Sequence, residues 1–212
     1  MSLQINCPLP LGVSDISDVT CETQMGQIVR LAFTKAQADT FATEITFATD
    51  VEWSVNLALG DTSALSAQLT PLFNNFVIPE GAAATIGPDT NETLFGELRV
   101  VGSTSITATG RFQGLPFDVK NELEAYISQG ATYGSLGVIL IDEFGQAWGD
   151  QPAGAASPVK GIPISSFFIG DPGTEGYNTL TYTPFQFNFK GGWANTVINV
   201  TPDFDLITKT NA

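Results

Sequence analysis

The segment LGVILIDEFGQAW, residues 136–148, contains the pattern that decides the fold. Its continuous apolar run from Gly137 to Ile141 is typical of a strand that is covered on both faces. The four residues that follow, Asp142-Glu143-Phe144-Gly145, have turn chemistry and lead into a partner strand that extends through Trp148. The segment therefore predicts an antiparallel hairpin inside a sheet that has protein on both sides.

A helix is predicted just before this hairpin. Within residues 116–130, apolar side chains recur at helical spacing, at Val119, Leu123, Tyr126 and Ile127. Pro116 stands where a helix begins, and Gly130 stands where this helix would end. One apolar stripe on a helix of a little over three turns predicts packing against a sheet.

Further strands are predicted on both sides, from alternating apolar residues bounded by turn residues. They cover residues 29–35, 72–78, 94–101, 105–112, 162–169, 180–189 and 196–201. Gly102-Ser103 predicts a hairpin between the third and fourth of these, and Pro184 indicates an edge or a bulge in 180–189. Residues 51–59 alternate like a strand, but Thr49 and Asp50 are good helix caps and favour a short helix.

These elements predict a mainly β, α+β fold, an antiparallel β-sandwich or partly closed barrel with one flanking α-helix and long loops. All 212 residues are assigned to a single domain. A long N-terminal arm of about residues 1–27 precedes the first strand, and a long loop region is predicted over about residues 60–93, which contain several Pro and Gly residues.

The composition limits the function. Charged residues make up 14% of the chain, and 22 acidic against 8 basic residues give a formal charge of −14, which argues against a reader of nucleic acid. No apolar run reaches the length of a membrane span, and no secretory leader is recognised at the start. We therefore expect no membrane association and a chain that remains in the cytoplasm where it is made.

Several kinds of chemistry lack their residues. The chain contains no histidine, which removes the Ser-His-Asp and Cys-His systems and the histidine-based zinc and iron sites. Cys7 and Cys21 are too few for a thiolate zinc site and are expected to be free thiols in a reducing compartment. No phosphate-binding glycine motif occurs. We expect no cofactor and no metal site.

Carboxylates are the catalytic residues that remain. Asp142 and Glu143 are one candidate pair for a hydrolase, although a solvated hairpin tip explains them more simply. A second candidate is the group Asp15, Asp18 and Glu22, which matches calcium-ligand spacing only loosely and is more simply a solvated loop.

Five stretches resemble phage virion proteins found among viruses of Bacteroidota: NETLFG from residue 91, LPFDVKNELEAYI, LGVILIDEFGQ, GIPISSFFIGDP and PFQFNFKGGW. The order of an early strand, a long loop, a flanking helix and C-terminal antiparallel strands is also similar to the tail-tube fold of long-tailed phages. The resemblance extends over roughly residues 90–200.

The resemblance implies a non-enzymatic virion subunit, a tail tube or tail-ring protein, that assembles with itself into a ring suspected to be six-fold. Other virion proteins would be its further partners, and DNA would be passing cargo in the channel and not a binding partner. The excess of acids would repel DNA from the bore, or would keep the subunit soluble before assembly.

Exposed-looking aromatic strands predict the subunit contacts. The candidate self-assembly residues are Ile164, Phe167, Phe168, Phe185 and Phe187. Packing in the core of the single subunit is the alternative for all five.

Two other functions stay open from the sequence. The subunit could be another virion component, a tail hub or a head protein. It could instead be a carbohydrate- or cell-surface-binding β-sandwich that uses Trp53, Trp148 and Trp193 as stacking platforms.

Overall fold

The computed structural model describes residues 25–36, 38–59, 63, 65–87, 97–131, 134–152, 157–174, 176 and 180–211. These residues form a mostly antiparallel, sandwich-like α+β fold, as the sequence predicts. The predicted N-terminal arm lies outside this part of the chain except for its last three residues, as do Asp15, Asp18, Glu22 and both cysteines.

Eleven strands and three α-helices lie within the described residues. The strands are β1 (Ile28–Thr34), β2 (Ala67–Leu69), β3 (Phe73–Val77), β4 (Ala83–Ile86), β5 (Arg99–Ser103), β6 (Ile106–Gln113), β7 (Leu136–Asp142), β8 (Ala147–Asp150), β9 (Ile162–Ile169), β10 (Tyr182–Phe189) and β11 (Val197–Val200). The helices are α1 (Glu44–Phe47), α2 (Asp50–Ala58) and α3 (Phe117–Gln129). Helix α3 and the preference for helix over residues 51–59 are thus confirmed, and α1 and α2 add to the one helix of the predicted fold class.

Strand β7 is the centre of the larger sheet. One edge of β7 pairs with β1 from Gly137 to Asp142, while the other edge pairs first with β9 and then with β8. From these neighbours the sheet continues in the order β11-β8-β7-β9-β10-β6-β3, with β2 attached to β1. The sheet curls until β3 lies beside β1, but it does not close into a barrel.

Every residue of β7 is buried, because the strand separates two hydrophobic cores. Successive side chains of a strand point to opposite faces. Leu136, Val138 and Leu140 therefore enter a first core beneath α3, and Ile139 and Ile141 enter a second core beneath α1 and α2. The expectation of a strand covered on both faces is confirmed.

The hairpin predicted at Gly102-Ser103 is wrong. Strand β5 pairs with β4, whereas β6 pairs with β3 on one edge and β10 on the other. Both edges of β6 are therefore occupied and none is left for β5. The Thr104 N–H donates to the Ala82 carbonyl at 2.8 Å, so the residue after β5 is still bonded to the segment that leads into β4.

Two smaller expectations also need correction. The region around residues 60–93 contains three short strands, β2, β3 and β4, and not one. Of the edge or bulge that Pro184 indicates, the edge is wrong, because β10 pairs with β6 and with β9, whereas the pairing with β9 does shift in register between Gln186 and Asn188. Proline is tolerated there because it stands opposite Gly170, just beyond the end of β9, where its carbonyl still accepts the Gly170 N–H at 2.8 Å.

The C-terminal segment, residues 201–211, is fastened across the second core by Arg30. Leu206 is fully buried in this core. The buried guanidinium of Arg30 donates to four main-chain carbonyls, those of Thr70, Leu206, Ile207 and Lys209, at 2.5 to 3.2 Å. Burial lowers the pKa of Arg30, while hydrogen bonds from Thr208 and Ile207 lower the pKa of the neighbouring Asp205 carboxyl.

The same segment covers the free edge of β2 with one side chain. The Asn211 amide accepts the Leu69 N–H at 2.8 Å and donates to the Leu69 carbonyl at 2.9 Å, as a neighbouring strand would. Asn211→Ala is expected to cost about 1 kcal/mol locally and to speed exchange of the Leu69 amide about fivefold in NMR hydrogen-exchange measurements. Thr210→Ala is the matched control, and equal effects of both changes would contradict the role of Asn211.

Candidate assembly surfaces

Strands β9 and β10 carry the five residues predicted from sequence as subunit contacts. The structure buries Ile164, Phe167, Phe185 and Phe187 in the first core, with at most 3% of each side chain exposed. The interpretation of these four side chains as exposed is wrong. Phe168 is 49% exposed and is the one residue of the set that a second subunit can reach.

The phase of β9 changes at Ser166, and this explains the division between the adjacent Phe167 and Phe168. Ile162 and Ile164 point into the core, and Ser166 then adopts a left-handed backbone with φ of 54°. The pairing of β9 with β10 shifts by one residue at this point, which is the signature of a β-bulge. After the bulge, Phe167 and Ile169 point inward and Phe168 points outward.

The structure places the side chains of Asp142 and Glu143 in different surroundings, one buried and one exposed. The Asp142 side chain is completely buried, and its Oδ1 accepts the N–H groups of Phe144 and Gln146 at 2.9 and 3.0 Å. Its Oδ2 accepts the Trp148 indole N–H at 3.2 Å. Glu143 is exposed, so the expectation of a solvated tip holds for Glu143 and is wrong for Asp142.

The indole rings are also unsuited to a shared binding platform. Trp53 is fully buried beside Phe41 and Phe47, and Trp148 is 9% exposed. Trp193 is partly exposed and stacks on Phe189 with ring centroids 4.4 Å apart. No cluster of three or more potential metal ligands occurs within the described residues.

A groove with a volume of about 650 Å³ lies between α3, β2 and the C-terminal segment. Apolar side chains such as Phe33, Leu123 and Tyr126 line much of it. Among its described lining residues, Glu122 is the single carboxylate, and Arg30 is already engaged with main-chain carbonyls. The groove brings together no set of groups that could perform acid–base or nucleophilic chemistry.

The most exposed apolar strand residues belong to a two-stranded ribbon, defined here as β4, β5 and the preceding Leu98. Every residue of β5 is exposed, and the apolar side chains of Leu98, Val100 and Val101 are 58–68% exposed. The ribbon extends from β3 and β6 and forms a separate sheet of two strands. Two strands without a packed face are marginal in water, so this ribbon has the properties of an interface that is not yet covered.

A second exposed apolar surface lies on α2, and we call its residues Val51, Val55 and Leu59 the helix stripe. These side chains recur at intervals of four residues and are 42–71% exposed. The opposite side of α2 is buried through Trp53, Asn56 and Leu57. Helix α2 therefore has two apolar faces, and the described part of the chain covers only the face that contains Trp53 and Leu57.

The helix stripe could have been found in the sequence. The sequence contains two apolar pairs at i,i+4 spacing, Trp53/Leu57 and Val55/Leu59. Because each residue advances about 100° around a helix, the two pairs lie on nearly opposite sides. The ribbon could not have been found in the sequence, because the turn chemistry of Gly102-Ser103 predicts a hairpin between β5 and β6.

Charge distinguishes these two surfaces. Within the described part of the chain, Arg99 on the ribbon is the one basic side chain without a polar or aromatic partner, since the others pair with carboxylates, carbonyls or rings. Glu52 lies beside the helix stripe on α2, and its carboxylate makes no ion pair with any described residue. The ribbon thus carries an unpaired cation, with the exposed Glu97 just before Leu98, and the helix stripe is flanked by one of several described acids that make no ion pair.

None of the described helices is both long and apolar enough to cross a membrane. The geometry of the subunit offers two uncovered apolar surfaces and no assembled reaction centre among the described residues. No protein-family model, no curated protein and no solved structure matches this chain.

Proposed function

We propose that this chain is a non-enzymatic structural subunit of a virion, which assembles with copies of itself into a tail tube or tail ring. The observation that carries the proposal is the exposed ribbon. A subunit that acted alone would gain nothing from holding Leu98, Val100 and Val101 in water on an unsupported pair of strands.

The distribution of acids supports a structural role over a catalytic one. Asp142 is saturated by three N–H donors and stabilises the β7–β8 turn, and Glu143 is a single exposed acid. Neither side chain can act together with the other on a substrate. The formal charge of −14 is suited to a channel through which DNA passes without binding, and to solubility of the free subunit.

The ring itself comes from the resemblance to phage tail-tube proteins, and with it a suspected six-fold symmetry. Closure into a ring gives every exposed ribbon a neighbour and removes the free sheet edges of single subunits. The product would be located in the virion after synthesis in the host cytoplasm, with other virion proteins above and below it.

The test compares variants in sedimentation velocity and negative-stain microscopy at rising protein concentration. The wild-type chain is expected to form rings or tubes, and the double variant Val100→Glu/Val101→Glu is expected to remain monomeric at concentrations at least tenfold higher. Phe117→Glu is the matched control, because Phe117 is 70% exposed in the first turn of α3, where an acid is well tolerated.

Each outcome bears on the proposal. Rings of the wild type and of Phe117→Glu, with monomers of the ribbon variant, support it. A wild-type chain that stays monomeric at every concentration, or a ribbon variant that assembles normally, contradicts it.

A further inference from the structure

We propose that the ribbon of one copy docks on the helix stripe of the next copy, with Arg99 opposite Glu52. The inference rests on the proposed self-assembly and identifies the two surfaces that meet. Both surfaces are described above as apolar and exposed, and no described residue covers either of them.

The two surfaces match in length and character. Val51 and Leu59 are eight residue steps apart, which is about 12 Å at 1.5 Å per step along a helix. Leu98 and Val101 are three residue steps apart, which is about 10 Å at 3.3 Å per step along an extended chain. A short apolar strand lying along a short apolar helix would remove from water the helix stripe and the apolar side chains on the docked face of the ribbon.

Charge favours this pairing over contact between two identical surfaces. Every copy carries a formal charge of −14, so copies repel unless the contact brings opposite charges together. Arg99 lies between Leu98 and Val100, and Glu52 lies next to Val51 at the side of the stripe. Docking would pair a cation and an anion that both lack an ion-pair partner among the described residues.

With one ribbon and one helix stripe meeting between each pair of copies, the proposed contact is head-to-tail. The ribbon continues from β3 and β6, whose buried side chains line the first core, while α2 covers the second core. Different surfaces of the same subunit therefore meet at each contact. Such an interface repeats from copy to copy and generates a ring when the rotation closes.

The experiment is a charge exchange followed by sedimentation velocity. Arg99→Glu and Glu52→Arg are each expected to weaken association at least tenfold, and the double variant is expected to return to within about threefold of the wild type. Circular dichroism and thermal melting verify that each variant is folded, which is expected because all the changes are at the surface.

Net charge serves as an internal control. Glu52→Arg reduces the negative charge of each copy, so an effect of general repulsion would strengthen association, whereas loss of the Arg99 contact weakens it. Glu143→Arg makes the same change of net charge on the β7–β8 turn and is expected to leave association unweakened.

A second measurement identifies the contact without depending on the charges. In a Cys7→Ser/Cys21→Ser background, copies carrying Val101→Cys are mixed with copies carrying Val55→Cys and oxidised. A disulfide-linked heterodimer is expected for this mixture and not when Leu180→Cys, at another exposed apolar site, replaces Val55→Cys.

The outcomes separate the two proposals. If the ribbon variants lose assembly while Glu52→Arg and Val55→Glu assemble normally, the helix stripe is not the receptor, and self-assembly through the ribbon stands. If no variant and no wild-type sample associates, both proposals are overturned. Rescue by the double charge exchange, together with the Val101–Val55 crosslink, supports the docking.

Discussion

Phe187→Ala is expected to destabilise the folded subunit by about 3–5 kcal/mol, because it leaves a cavity in the first core. The Phe187 ring is fully buried on β10 and lies 5.2 Å from the Phe189 ring and 5.9 Å from the Phe76 ring, measured between centroids. Aromatic contacts of this kind add to the free energy of burial. Equilibrium unfolding in urea, followed by fluorescence and circular dichroism, measures the change.

Phe168→Ala is the matched control for this prediction. Phe168 is a phenylalanine on the neighbouring strand β9, but about half of its side chain is in water, so the expected loss is below about 1 kcal/mol. A Phe187→Ala variant that unfolds like the wild type but fails to assemble would contradict the core assignment. That result would return Phe187 to the set of subunit contacts predicted from the sequence.

Asp142→Ala is expected to cost about 2–4 kcal/mol of unfolding free energy, because three N–H donors lose a charged acceptor at once. Two of these donors belong to the turn itself, at Phe144 and Gln146, and the third is the Trp148 indole on β8. Asp142→Asn is expected to cost less, because an amide oxygen can still accept the two turn N–H groups. Thermal melting and urea unfolding measure the order Asp142→Ala, Asp142→Asn, wild type.

The neighbouring acid gives the control. Glu143→Ala changes an exposed side chain and is expected to alter the unfolding free energy by no more than about 0.5 kcal/mol. Equal destabilisation by both substitutions would contradict the structural role assigned to Asp142. Hydrolytic activity lost in both variants, with stability unchanged, would instead support the carboxylate hydrolase.

The sequence alone predicts an element correctly where the spacing of its apolar residues matches the side of the element that is buried. The unbroken apolar run in β7 and the spacing of Val119 and Leu123 in α3 both follow from contacts within one element and the face it presents. The pairing of strands that are distant in the chain cannot be predicted from such local spacing. Gly102-Ser103 has the chemistry of a tight turn, but β6 was already paired on both edges by strands distant in the chain.

The candidate contact residues show the same limit on a smaller scale. Phe167 and Phe168 are chemically identical, and the difference between core and surface arises from one left-handed residue, Ser166, which nothing in the sequence pattern marks. The prediction that Asp142 is solvated is wrong, although it follows from the usual exposure of acidic residues at turns. The indole that needs its carboxylate lies six residues later.

Strand β7 belongs to both hydrophobic cores, and this determines how the folded chain unfolds. Its alternate side chains belong to two cores, and its main chain holds together β1, β8 and β9. Withdrawal of this strand would empty both cores in a single event. We therefore expect the two layers to unfold together as one cooperative unit, with the β7 amides exchanging only on global opening in native-state hydrogen-exchange measurements.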